Sequence, residues 1–206
     1  MPVKNASAFL HQTIDSIINQ TYSNWELIAI NDHSSDDSLE TLNIYSNKCP
    51  NIIVLKNQGN GIIDALKTGY NNSNGQFITR MDADDLMSHN KLELMVNALK
   101  NGKGNIVTGL VKYFSEGELG NGYKNYEKWL NGLTLSNQNY SEIYKECSIP
   151  SPCWLVWKED FDLCGGFNSN TYPEDYDLAF RFYQNNLNVI GIPQVLHYWR
   201  DHSKRT

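Results

Sequence analysis

Short apolar runs alternate with amphipathic segments along the first half of the chain. The run from Trp25 to Ile30 is compact and apolar and ends in Asn31-Asp32, as expected for a buried parallel strand with a polar end. The first predicted helix, residues 5–20, places on one face Phe9, Leu10, Ile14, Ile17 and Ile18. Strands that alternate with helices predict an α/β fold with a mainly parallel central sheet flanked by helices.

The same pattern continues further along the chain. We predict strands over residues 52–55, 76–81 and 106–114, and helices over 38–48, 61–66 and 89–100. Residues 117–139 are rich in Gly and Asn, which indicates a long mobile loop. Beyond this loop we expect a helix over 174–184 and two short strands over 189–192 and 195–199. The pattern indicates a single domain, residues 1–206.

Composition narrows the class of protein. A chain of 206 residues that is 40% hydrophobic can bury one sizeable core. The net charge is −6 and the basic residues are scattered, so we expect no nucleic-acid partner. The four cysteines form no C-x-x-C pair, which favours reduced, buried thiols and a cytoplasmic protein. A peripheral position at the inner face of the membrane stays compatible with this composition.

The sharpest local signal is a carboxylate cluster, Asp82-Ala83-Asp84-Asp85, that follows a predicted strand. Carboxylates this close repel one another unless a cation lies among them, and Mg²⁺ or Mn²⁺ accepts oxygen ligands. A solvated acidic turn, in which Asp85 caps the next helix, is also consistent with this sequence. Asp32 and Asn57 also follow strands, and ligands of such sheets bind beyond the carboxyl ends of the strands. We therefore expect a site at this edge.

Two later segments carry further candidate chemistry. Carboxylates crowd the start of a predicted helix at 174–177, where the helix dipole alone would favour them. One of them could also take a proton from an attacking hydroxyl. Asp177 and Arg181 are four residues apart and should pair on the helix surface. Near the end of the chain, His197 and His202 are candidate metal ligands, although a lone His is more often structural.

Eight segments carry, in order, motifs that occur together in one family. They are Pro2–Asn5, Ser16–Tyr22, Asn31–Asp36, Asn57–Leu66, Arg80–Asp85, Gly165–Phe167, Glu174–Leu178 and Tyr198–His202. Spanning nearly the whole chain, they resemble the family 2 glycosyltransferases of the GT-A fold, and R-M-D-A-D-D at 80–85 is the nearest match. This resemblance implies an inverting enzyme that moves a sugar from a nucleotide diphosphate, with UDP expected, to a hydroxyl of a glycan or lipid-linked acceptor.

The resemblance also implies roles for individual residues. Asp32 would hold the base, Asp82 would lie beside the ribose and diphosphate, and Asp175 would be the general base. Asp84 would bind Mn²⁺ or Mg²⁺, with His202 as a further metal contact. The remaining residues implied for nucleotide-sugar binding are Pro2, Val3, Asn57, Gly61, Asp64 and Arg80. Residues up to about 114 would then hold the donor, and residues from about 115 onward would hold the acceptor and the base.

Some positions depart from the family pattern. Asn31 replaces the first Asp of a D-D pair, and Lys67 replaces an Asn. Met1–Asn5 has the form of the exit from a strand, so we expect the working protein to carry apolar residues before Met1. Other classes also fit parts of the sequence: a non-catalytic relative that binds nucleotide sugars or glycans, a D-x-D-x-T phosphatase, and a sugar nucleotidyltransferase. The last two lack, respectively, the Thr or Val after the second Asp and a glycine-rich basic loop.

Overall fold

A computed structural model describes residues 1–100, 102–167, 171 and 173–202. Residues 1–71 form the alternating unit that the apolar pattern predicts. Its elements are β1 (Pro2–Val3), α1 (Ser7–Ile18), β2 (Leu27–Asn31), α2 (Ser38–Lys48), β3 (Ile52–Lys56) and α3 (Gly61–Asn71). The strands form a parallel sheet in the order β1-β2-β3. Every residue of β2 is buried, which explains why this strand is a continuous apolar run.

The following residues build a second, mixed sheet. Its elements and the helices around it are β4 (Phe77–Ile78), β5 (Leu86–Met87), α4 (Lys91–Leu99), β6 (Asn105–Phe114), α5 (Asn121–Leu135), a 3₁₀ turn (Asn139–Glu142), β7 (Trp154–Trp157), α6 (Lys158–Leu163), α7 (Glu174–Gln184) and β8 (Asn188–Arg200). The strand order is β4-β7-β6-β8-β5. Strands β6 and β8 are parallel, and the other neighbours are antiparallel. This sheet therefore joins strands from both sides of residue 114.

The expectation of a mobile loop over residues 117–139 is wrong, because this segment contains the 15-residue helix α5. Its buried residue Leu130 and the flanking rings of Tyr126 and Trp129 pack in one apolar cluster with β6 and β8. In addition, the Asn131 amide donates to the Val111 carbonyl and accepts from the Val111 N–H. Tertiary contacts stabilise a helix whose exposed face is too rich in Gly and Asn to predict one.

The two strands predicted near the end of the chain are one strand, β8. It pairs with β6 from Asn188 to Arg200, with a register shift between Ile192 and Val195. Pro193 lies in this irregularity, where a missing N–H interrupts the ladder without ending the strand. The strand predicted over residues 76–81 is shorter than expected, since only Phe77–Ile78 pair with a neighbour. The chain therefore leaves the sheet after Ile78 and continues into the acidic cluster.

Candidate active site

A cavity of about 610 Å³ opens where the first sheet, the acidic loop and the start of α7 meet. All but two of the residues predicted for the site line it, namely Pro2, Val3, Asp32, Gly61, Arg80, Asp82, Asp84, Asp175 and His202. The carboxyl ends of β1 and β2 deliver the first of these, as expected for a parallel sheet. Residues up to 200 positions apart in the sequence thus share one cavity, since both Pro2 and His202 line it.

Apolar neighbours orient the acidic loop. Met81 and Ala83 are buried and pack in the same apolar cluster as helix α1. The residues between and after them, Asp82 and Asp84, are partly exposed and line the cavity. Because buried and exposed residues alternate, the backbone presents these two carboxylates to the same open space. The third residue, Asp85, also borders the cavity, but its carboxylate is buried and is bonded to His197 and to the Arg200 N–H.

Asp32 is held by several hydrogen bonds at the end of β2. Its carboxylate accepts from the Asn57 amide at 2.6 Å and from the Gly61 N–H at 3.1 and 3.2 Å. The exposed ammonium of Lys4 lies 3.2 Å from its other oxygen. Burial alone would raise the pKa of Asp32, but the hydrogen bonds from Asn57 and Lys4 outweigh it and keep the pKa below its usual range. Asp32 is therefore ionised at neutral pH.

The remaining two predicted residues, Asn57 and Asp64, lie behind the cavity wall. Asn57 is buried and contacts the cavity wall through its bonds to the Asp32 carboxylate and to the Gly61 carbonyl. Asp64 lies in the first turn of α3, where its carboxylate accepts from the Asn60 N–H at 3.0 Å. Among the residues that the structure describes, neither side chain is part of the wall of the 610 Å³ cavity.

Arg80 joins the two sides of the cavity. Its guanidinium donates to Asp82 at 2.8 Å and to Glu174 at 3.0 Å, and only 5% of its side chain is exposed. Burial would lower the pKa of Arg80, but these two carboxylates raise it. Glu174 is the residue that sequence reasoning missed, since a carboxylate at a helix start has an ordinary explanation in the helix dipole. Its neighbour Asp175 lines the cavity directly.

Asp84 and His202 meet as predicted. The Asp84 carboxylate lies 2.9 Å from Nε2 of His202, and 27% and 15% of the two side chains are exposed. Burial and the negative charge of Asp85 raise the pKa of Asp84, against the hydrogen bond from His202. One carboxylate and one imidazole form a donor set that suits Mn²⁺, with positions left for phosphate oxygens. Within the described ranges, no group of three or more His, Cys, Asp or Glu side chains could hold a metal ion.

His197, the other candidate ligand, is not at this site. It is fully buried, with Nε2 2.9 Å from the Asp85 carboxylate. Asp85 does not cap the next helix either, because its second oxygen accepts from the Arg200 N–H at 2.8 Å. The acidic cluster thus divides into two residues that face the cavity and one that fastens the loop to β8.

Aromatic and sulfur-containing side chains line the cavity together with Asp175. Asp175 lies in the first turn of α7, and Tyr126, Cys147 and Trp199 line the same cavity. Burial and the nearby charge of Asp175 raise the pKa of Cys147 to about 12, so this thiol stays protonated. The predicted pair between Asp177 and Arg181 is present at 2.9 Å, which directs Asp177 along the helix. Of the carboxylates in the first turn of α7, Glu174 and Asp175 line the cavity and Asp177 does not.

The fold and the site define the GT-A class of α/β proteins. Residues 1–164 match the model of glycosyl transferase family 2. The chain therefore belongs to this family, as its motifs predicted, and the phosphatase and nucleotidyltransferase interpretations are wrong.

Relatives and solved structures agree with this assignment. The glycosyltransferase GlyA of Streptococcus pneumoniae is 31% identical over 97% of this chain, which spans 30% of that protein. The poly(ribitol-phosphate) beta-N-acetylglucosaminyltransferase TarP of Staphylococcus aureus is 36% identical over 57% of this chain, which spans 36% of TarP. The minor teichoic acid biosynthesis protein GgaB of Bacillus subtilis is 36% identical over 58% of the chain.

Two solved structures share the fold. The mannosyltransferase PcManGT of Pyrobaculum calidifontis, in complex with GDP-Man and Mn²⁺, has a TM-score of 0.76 at 16% identity and covers 98% of this chain and 56% of its own. TarS 1–349 of S. aureus in complex with UDP has a TM-score of 0.73 at 17% identity and covers 97% of this chain and 59% of its own. In the part of the chain that the structure describes, no helix combines the length and apolar character that a membrane crossing requires.

Proposed function

We propose that this chain is an inverting glycosyltransferase that moves a sugar from a nucleotide-diphosphate sugar to an acceptor hydroxyl. The observation that carries the proposal is the shared cavity, which Asp32, Asp82 and Asp175 all line. Arg80 supports it by bridging Asp82 and Glu174, next to Asp175. A protein that only binds a nucleotide sugar has no use for a carboxylate on the acceptor side.

On the donor side, the ionised carboxylate of Asp32 would accept a hydrogen bond from an N–H of the base. Asn57 and Gly61 hold that carboxylate in place. Pro2 and Val3 would wall the base, Asp64 would support the turn before α3, and Asp82 and Arg80 would border the ribose and diphosphate. The position of each residue on or behind the cavity wall supports these roles.

Asp84 and His202 would hold a divalent cation, Mn²⁺ in preference to Mg²⁺ because one donor is an imidazole nitrogen. A cation bound there would stabilise the negative charge that develops on the leaving diphosphate. The acidic cavity favours such a cation, since burial and the negative charge of Asp85 raise the pKa of Asp84.

On the acceptor side, Asp175 would take the proton of the attacking hydroxyl. The hydroxyl oxygen forms a bond to the anomeric carbon on the face opposite the leaving group, and the bond from that carbon to the diphosphate breaks. The nucleotide diphosphate leaves with the electron pair, and the sugar configuration inverts. A carboxylate positioned for this proton transfer contributes typically about 10²- to 10⁴-fold to the rate.

For the donor we propose a UDP-linked hexose or N-acetylhexosamine, and for the acceptor a cell-surface glycan or its lipid-linked precursor. The names of TarP and GgaB, and the UDP bound by TarS, support this choice. Because PcManGT is in complex with GDP-Man, a GDP-sugar is the second donor to test. Such acceptors are reached from the cytoplasm, at the inner face of the membrane.

The test is release of free nucleotide from a panel of UDP- and GDP-sugars by the full chain with Mn²⁺ and with EDTA. We expect turnover with Mn²⁺ and its loss in EDTA. Asp175→Asn should keep UDP binding in calorimetry and lower kcat by about 10²- to 10⁴-fold. Asp177→Asn is the matched control, because Asp177 pairs with Arg181 and should leave kcat nearly unchanged. If Asp177→Asn loses more activity than Asp175→Asn, Asp175 is not the general base. Binding of the nucleotide sugar without turnover would favour a non-catalytic relative.

A further inference from the structure

A buried polar chain of three side chains lies beneath the acidic loop and is not used by the proposed reaction. Lys91 in α4 and His197 in β8 are fully buried, and Asp85 is 2% exposed. Nζ of Lys91 lies 3.3 Å from Nδ1 of His197, and Nε2 of His197 lies 2.9 Å from the Asp85 carboxylate. Burying charged groups costs several kcal/mol unless they are paired, so this arrangement needs a reason.

The hydrogen bonds assign the protons along this chain. An ammonium has donors and no acceptor, so Nδ1 of His197 accepts from Lys91. The hydrogen of the neutral imidazole is then on Nε2 and is donated to Asp85. With Lys91 as an ammonium, one cation and one anion are joined through a neutral ring. Burial lowers the pKa of Lys91, and the negative charge of Asp85 acts against that shift. Lys91 also donates to the Pro152 carbonyl at 2.6 Å.

Asp85 connects this buried chain of side chains to the candidate metal site. Its other oxygen accepts from the Arg200 N–H at 2.8 Å, and the Arg200 guanidinium donates back to the Asp84 carbonyl at 2.7 Å. The loop that carries Asp84 is therefore fastened to the end of β8, two residues before His202. The distance between the two candidate ligands depends on this attachment.

We propose that Lys91 is a positioning residue for the metal site: its buried charge, acting through His197, keeps Asp85 in place and thereby sets the spacing of Asp84 and His202. This inference rests on the metal role proposed for those two residues. Lys91 touches neither of them, and its second partner, the Pro152 carbonyl, belongs to a residue on the cavity wall. One side chain therefore supports both the metal-bearing loop and the loop that borders the acceptor side.

The test is the affinity for Mn²⁺, measured from the electron paramagnetic resonance signal of free Mn²⁺ with UDP and, in parallel, with GDP. Partners that orient metal ligands typically contribute about 10- to 100-fold to metal affinity, and we expect a loss in this range for Lys91→Met. The matched control is Asp160→Asn, which alters another buried charge, 5% exposed, that accepts from the Gly104 N–H in a different part of the protein. Below its unfolding midpoint, this variant should bind Mn²⁺ within about twofold of the wild type, by the additivity of distant sites.

Equal Mn²⁺ affinity in the wild type and Lys91→Met would overturn the inference, as would an equal loss in Asp160→Asn. A wild-type protein that binds no Mn²⁺ with either nucleotide would overturn the metal role as well, which separates the two failures. If Lys91→Met does not fold, Lys91→Arg and Lys91→Gln make the same comparison. Both keep a donor for the Pro152 carbonyl, and only Arg keeps the charge. We then expect Arg to retain the affinity and Gln to lose it, and equal affinities would contradict the proposal.

Discussion

Single residues at the rim of the cavity have backbone or charge requirements that few substitutions satisfy. Gly61 has a φ of +83°, in the left-handed region, and in this conformation its N–H points at both oxygens of Asp32. A side chain at this position would have open space but would strain the backbone. The glycine is thus required by conformation rather than by packing.

We predict that Gly61→Ala lowers the free energy of unfolding by about 1–2 kcal/mol, the cost of a left-handed L-residue. The matched control is Gly132→Ala, at an exposed position within α5 that also has open space around it. There Ala should stabilise by about 0.4–1 kcal/mol, because it restricts the unfolded chain and suits a helix. Urea unfolding measures both, and shifts of the same sign would contradict the conformational argument.

The carboxyl group of Asp36 makes the free energy of unfolding depend on pH. Its carboxylate accepts from the N–H of Ser7 at the start of α1 and from the N–H of Ser38 at the start of α2. These bonds satisfy N–H groups that the first turns of the two helices leave without an intrahelical partner. Burial would raise the pKa of Asp36, but the hydrogen bonds of Ser38 and Ser7 lower it from 3.8 to about 2.

A carboxyl group with a depressed pKa stabilises the folded state above its unfolded pKa, and this contribution is lost as the pH falls through the folded pKa. We therefore predict that the free energy of unfolding falls between about pH 4 and pH 2, and that Asp36→Asn removes part of this slope. Urea unfolding across pH 2–5 measures the slope. Asp37→Asn, at the exposed neighbouring carboxylate, is the control, and an equal effect there would assign the slope to general charge repulsion.

At the scale of elements, α5 shows how packing overrides local preference. Its exposed positions include Asn121, Gly122 and Asn125, which weaken a helix in isolation. Leu130 is fully buried against β6 and β8, and the helix forms because this face is covered. The aromatic wall of the acceptor side depends on the same contact.

We expect Leu130→Ala to lower the free energy of unfolding by about 2–5 kcal/mol, as for other buried Leu side chains. The same substitution at Leu135, which is 58% exposed in the last turn of this helix, should change it by less than about 0.5 kcal/mol. Chemical denaturation of the two variants measures the difference. Equal losses would mean that α5 is held by its backbone and not by this buried face.

At the scale of the whole molecule, the parallel sheet and the mixed sheet meet at the cavity. Arg80 spans this junction, since it follows β4 and binds both Asp82 in the acidic loop and Glu174 at the start of α7. Glu174 is 94 residues away in the sequence. The position of Asp175 relative to the donor side therefore depends on a buried ion pair.

Removing one partner of a buried ion pair leaves the other charge uncompensated, which typically costs about 3–5 kcal/mol. We predict this loss of stability for Arg80→Met, together with a fall in kcat, because Asp175 loses its link to the donor side. Lys103→Met is the control, since its pair with Glu159 is exposed and should contribute less than about 1 kcal/mol. Guanidinium unfolding and nucleotide release measure the two effects, and equal stability losses in both variants would contradict the prediction.

Much of the fold and of the site could be predicted from local patterns. The order of the first strands and helices, the acidic loop after a strand and the pairing of Asp177 with Arg181 all depend on residues a few positions apart, so periodicity and spacing are sufficient for them. The motifs in their order indicated the family, and most of the residues they named line one cavity.

The sequence by itself determined which residue types are present and the conformations that neighbouring residues favour. Only the tertiary structure decided which partner each charged group meets, because those partners are distant in the chain: Glu174 pairs with Arg80, and Asp85 meets His197 and, through it, Lys91. It also decided that residues 121–135 form a helix, since the free energy that stabilises α5 comes from burial against β6 and β8. Burial and long-range pairing exist only once the sheets have come together, and no local pattern records them.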